Sequence, residues 1–116
     1  MTDIYGLNDC IIRSQATGSR YICNPPPTDT DDDSIILVNG YYDWDSKFIE
    51  NGWVASEGEE YILDGRFKSF RLGPLNAIVT EDENFYRAFV VATEAARSLN
   101  LLKKEDRIKL FDSVIN

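Results

Sequence analysis

Three short stretches follow one another closely in this chain: Thr17-Gly18-Ser19, the acidic run Asp29-Thr30-Asp31-Asp32-Asp33, and the apolar run Ile35-Ile36-Leu37-Val38. A tight turn, a spacer, alternating acids and a buried strand are the parts of a polyphosphate site with divalent metal. Backbone donors lie close to the anion, and carboxylates on one face hold the cation beside it. Gly18 and Ser19 are the candidate donors, and close backbone approach or a positive φ would each demand glycine at position 18. Asp31 and Asp33, two apart on an extended segment, share a face and are the candidate metal ligands. Asp29 continues the alternation, and Asp32 points the other way. Charge alone would make this run a solvated acidic turn. Acids entering a buried strand repel one another, by roughly 4 kcal/mol for two charges about 4 Å apart at an effective dielectric of about 20, and a cation removes that cost.

These stretches resemble the glycine-serine and paired-aspartate motif of the DNA polymerase β-like nucleotidyltransferase superfamily, in particular its short single-domain members, including those encoded by phages. Eleven residues separate Ser19 from Asp31, and Asp33 enters the apolar run, as in that motif. Phe70-Arg71-Leu72-Gly73 and residues 75–80 extend the resemblance weakly into the second half. The resemblance implies a nucleotidyltransferase-like fold and magnesium-dependent transfer of a nucleoside monophosphate from a nucleoside triphosphate to an acceptor: a protein, a nucleic acid or a small molecule. It implies Asp31 and Asp33 as catalytic residues holding two Mg²⁺ ions with Asp29, and Gly18, Ser19 and Arg20 as nucleotide-binding residues. The third carboxylate usual in active members aligns with Asn76, an amide that brings no charge and cannot act as a base. Asp64 and Asp29 are the alternative third acids. A second reading is therefore a catalytically impaired protein of this fold that binds and regulates or inhibits a partner protein.

Composition narrows the classes. The 116 residues suit one domain over 1–116, with any second substrate held by loops or a partner. The absence of histidine removes serine-histidine and cysteine-histidine catalysis and histidine zinc sites, leaving carboxylate chemistry. A net charge of −8 disfavours nucleic acid as a partner other than as an acceptor. Cys10 and Cys23 lack a partner pattern, and with no signal peptide the expected location is cytoplasmic, or host-cytoplasmic for a phage protein, with both thiols reduced. No apolar stretch approaches the roughly 20 residues that cross a bilayer, so no membrane partner is expected.

The elements that must position these residues are then read from spacing. Residues 5–16 carry Leu7, Ile11 and Ile12 at near-helical spacing and predict a helix ending at Gly18. Residues 21–23 read as extended, and Pro25-Pro26-Pro27 as a stiff spacer. A helix is expected over 42–50, an exposed loop over 57–60, and a hairpin at Asp64-Gly65. Strands are expected over 66–71 and 75–79, turned by Gly73-Pro74, with Arg66, Lys68 and Arg71 offering positive charge. Thr80 and Glu83 read as a capping box opening a helix to about residue 100, with Phe85, Phe89, Ala92 and Ala96 as its apolar stripe. A last helix from Lys104 carries Ile108, Phe111 and Ile115, with Lys103, Lys104, Arg107 and Lys109 facing solvent. The expected class is α+β, a small mixed sheet with helices packed on one face.

Overall fold

Four consecutive apolar residues, Ile35 to Val38, send side chains alternately to the two faces of an extended strand, so both faces need cover. The computed structural model, which describes residues 7, 9–27, 32–56 and 67–115, provides it. Its elements run β1 (Ile11–Thr17), α1 (Gly18–Ile22), β2 (Asp32–Val38), α2 (Trp44–Glu50), β3 (Val54–Ser56), β4 (Lys68–Leu72), β5 (Leu75–Thr80), α3 (Glu83–Ser98) and α4 (Lys104–Ile115). The strands form one sheet in the order β1-β2-β5-β4-β3. Strands β2 and β5 are parallel and every other neighbouring pair is antiparallel. This is the expected α+β class with a mixed sheet.

The helices do not share one face. Ile35, Leu37 and Ile78 are buried against Phe85, Phe89 and Ala92 of α3 and Phe111 of α4. On the reverse, Ile36, Val38, Ala77 and Val79 are buried with Phe70 against Trp44 and Phe48 of α2 and against Trp53. The Phe48 and Phe70 rings stack with centroids 4.8 Å apart. The alternation of β2 itself forces the second cover, because Ile36 and Val38 would otherwise face water.

Three elements differ from their local patterns. The segment expected to be helical up to Ala16 is instead strand β1, paired with β2 from Ile11↔Val38 to Thr17↔Asp33. Its β-branched Ile11 and Ile12 suit a strand, and an edge position leaves Ile12, Arg13 and Ser14 exposed. Helix formation begins at Gly18 rather than ending there, so Tyr21 and Ile22 close α1 rather than lying extended. At α3 the cap is Asp82, whose carboxylate accepts from the Asn84 and Phe85 amides, while the Thr80 hydroxyl accepts from the Asp82 amide. Asp82 displaces the expected Thr80–Glu83 capping box because β5 extends through Thr80. The expected loop over 57–60, the hairpin at Asp64-Gly65 and Arg66 lie outside the described residues.

Among the described residues, no helix is long and apolar enough to cross a membrane.

Candidate functional site

Strand β1 ends at Thr17, which is buried and sits at the N-cap of α1, where threonine ordinarily caps with its hydroxyl. Here the side chain makes no cap bond. Thr93 donates its hydroxyl hydrogen to the Phe89 carbonyl at 2.8 Å, so in the 2.7 Å contact between the two hydroxyls Thr17 is the donor. The turn is thereby anchored to α3 rather than to its own helix.

Gly18 follows with φ +77°, and its α-carbon packs on the side chain of Asp33. A methyl group placed there would lie 2.8 Å from Asp33 Cγ and 2.9 Å from its Cβ, and closer still to Oδ2. Only glycine satisfies both the left-handed backbone and the approach. Directly opposite residues of paired strands share a face, and the ladder aligns Thr17, Asp33, Asn76 and Arg71 in one row across β1, β2, β5 and β4. Within the row the Asn76 amide donates to Asp33 Oδ1 at 3.0 Å. Asn76, expected at the third acidic position, therefore stands beside Asp33 as a neutral donor to it.

The turn and Asp33 open onto a cavity of about 240 Å³ whose floor includes Ile78, Phe89 and Phe111. Its opposite wall is α4, which contributes Lys104 and Arg107. Both were expected to face solvent. Lys104 is exposed at the rim, but Arg107 is half-buried, and its Nη1 donates to the Leu101 and Leu102 carbonyls at 2.9 Å each and to Cys23 Sγ at 3.3 Å. The signal was present in the spacing: Lys104, Ile108, Phe111 and Ile115 recur at i, i+4, i+7 and i+11 on one helix face, and Arg107 lies one turn before Phe111. Cations within an apolar stripe face what the stripe faces.

Gly18, Ser19 and Asp33 thus meet at one cavity. Arg20 is exposed and lines a separate groove with Tyr21 and Arg97. Lys68 lies three residues before Arg71 on β4 and so faces the other side of the sheet, where it pairs with Asp45 of α2 at 2.6 Å. Asp29, Asp31 and Asp64 lie outside the described residues. Among the described residues no three metal-ligating side chains come together, and Asp33 is the described member of the expected set. The described donors, the Asp33 carboxylate and the Asn76 amide oxygen, are hard oxygens of the kind magnesium takes. Elsewhere, burial pushes the Cys10 thiol and the Tyr86 phenol above their ordinary values, away from this chemistry.

No family model, curated protein or solved structure matches the chain.

Proposed function

We propose that this protein is a nucleotidyltransferase that moves a nucleoside monophosphate from a nucleoside triphosphate to an acceptor hydroxyl. The observation that carries the reading is the packing of Gly18 on Asp33 at the mouth of a cavity whose far wall is cationic. A glycine-serine turn, a carboxylate and two cations around one opening suit a polyphosphate accompanied by a metal ion. In this reading the Gly18 and Ser19 amides and the Ser19 hydroxyl donate to the phosphate oxygens, while Arg20 stays in its separate groove. Asp33, with Asp31 and Asp29 preceding it in the chain, would hold Mg²⁺. When bound, the metal would offset charge developing on the α-phosphate. The acceptor oxygen forms its bond to the α-phosphorus, the bond to pyrophosphate breaks, and the hydroxyl proton leaves to solvent. The row from Thr17 to Asn76 keeps Asp33 in place against the turn. The acidic, histidine-free composition suits a cytoplasmic protein, in a host cell if the chain is phage-encoded.

The Asn76 amide supports a second reading, a protein of this fold that binds a partner protein without turnover. In that case replacing Asp31 and Asp33 with alanine leaves partner binding intact.

Calorimetric titration with nucleoside triphosphates, with and without magnesium, tests the first reading. Metal-dependent binding that vanishes in the Asp31→Ala/Asp33→Ala variant supports it. A protein that binds no nucleoside triphosphate under either condition refutes it.

A further inference from the structure

The entrance of the cavity is set by α4 as much as by the turn, and the two are tied together at their ends. The Asn100 side chain accepts from the Asn24 amide at 2.9 Å and donates to the Asn24 carbonyl at 3.1 Å. Arg107 bridges the Leu101 and Leu102 carbonyls to Cys23 Sγ, so the segment that leaves α1 and the segment that enters α4 are clamped together. The first turn of α4 is therefore held at a fixed place relative to Gly18 and Ser19. Arg107 Nη1 is committed to this clamp. Lys104, one turn before Ile108 on the cavity-facing stripe, is the cation at the rim. Glu105 and Asp106 are rotated to other sides of the helix by its 3.6-residue period.

We propose that Lys104 is a ligand-binding residue of this site: it holds the outer anionic groups of a polyphosphate whose inner part lies against Gly18, Ser19 and Asp33. The assignment rests on the nucleotidyltransferase reading for what the ligand is, but its anion chemistry stands on the cavity. An ammonium group on a flexible stem offers three donors and a compact charge, and it follows a phosphate over a range of positions. In a chain of net charge −8, Lys104 and Arg107 both line this cavity, with Asp33 as its described carboxylate, which makes it locally favourable to an anion.

The test is calorimetric titration of inorganic tripolyphosphate, with and without magnesium, into the unmodified protein and into Lys104→Gln, Lys104→Arg and Lys103→Gln. Loss of one charge-assisted contact predicts binding weaker by about tenfold or more in Lys104→Gln. Lys104→Arg keeps the charge and stays within about threefold, and Lys103→Gln, off the stripe, is unchanged. Thermal melting of Lys104→Gln within about 2 °C of the unmodified protein confirms that the loss is not unfolding. Unweakened binding by Lys104→Gln overturns the proposal, as does equal weakening by Lys103→Gln or no binding by the unmodified protein. Tripolyphosphate binding through Lys104 in a protein that transfers no nucleotide keeps this assignment and sinks the transferase reading. Nucleotide transfer with affinity unchanged in Lys104→Gln does the reverse.

Discussion

Replacing Gly18 with alanine tests the contact on which the site is built, and Gly73 supplies its control. Both glycines have positive φ, +77° and +57°, but a methyl at Gly73 meets nothing within 4 Å whereas one at Gly18 runs into the Asp33 side chain. Gly73→Ala therefore measures the backbone cost alone, about 1–2 kcal/mol for a left-handed alanine. Gly18→Ala bears the same cost and must also turn Asp33 away, breaking the Asn76 hydrogen bond to a carboxylate, worth about 1.5–3 kcal/mol. The total is about 3–5 kcal/mol. At about 4 °C per kcal/mol for a domain of this size, melting falls by about 4–8 °C in Gly73→Ala and about 12–20 °C in Gly18→Ala. Calorimetric melting of both variants provides the comparison. Asp33→Ala in the Gly18→Ala background removes the carboxylate and leaves only the Cβ contact at 2.9 Å, so the double variant is more stable than additivity requires, by about 1–2 kcal/mol. A Gly18→Ala shift no larger than that of Gly73→Ala would show that the turn does not press on Asp33.

Asn76→Asp places a second carboxylate beside Asp33; it should destabilise the metal-free protein by about 2–4 kcal/mol, and magnesium should restore part of that loss in a melting assay if the site holds the ion. Thr93→Val removes the acceptor for the buried Thr17 hydroxyl and is expected to cost about 1–3 kcal/mol in urea unfolding. Phe48→Ala empties the core on the far side of the sheet and should cost about 3–5 kcal/mol while leaving tripolyphosphate affinity unchanged at a temperature where the variant is folded. Burial raises the Cys10 thiol, which donates to the Leu7 carbonyl at 3.2 Å, so the folded state keeps this proton where the unfolded chain loses it. The contribution to stability is full below the ordinary thiol value of 9.0 and declines as pH rises through the raised one; Cys10→Ser should flatten that decline in melting curves taken from pH 8 to 10.

Glycine and serine before alternating acids and an apolar run were legible as a candidate site because each residue type carries its own constraint. Asp33 enters a buried strand, and Gly18 occupies a backbone position other residues resist. The stripe of α3 was legible for the same reason: its period is local. Strand β1 was not, because Leu7, Ile11 and Ile12 fit a helix locally and only the ladder to β2 selects the extended form. Lys104 and Arg107 were misplaced although their spacing was informative, since a cation on an apolar stripe has no local partner that announces the cavity it faces. By itself the sequence determined the α+β class, the turn, the acidic run and the apolar face of α3, all consequences of near-neighbour sterics and hydrophobic period. Only the tertiary structure decided that β2 and β5 run parallel, so that Asn76 stands beside Asp33, and that α4 folds back to close the cavity. Those are contacts between residues far apart in the chain, and burial of the whole core, rather than any local preference, selects them.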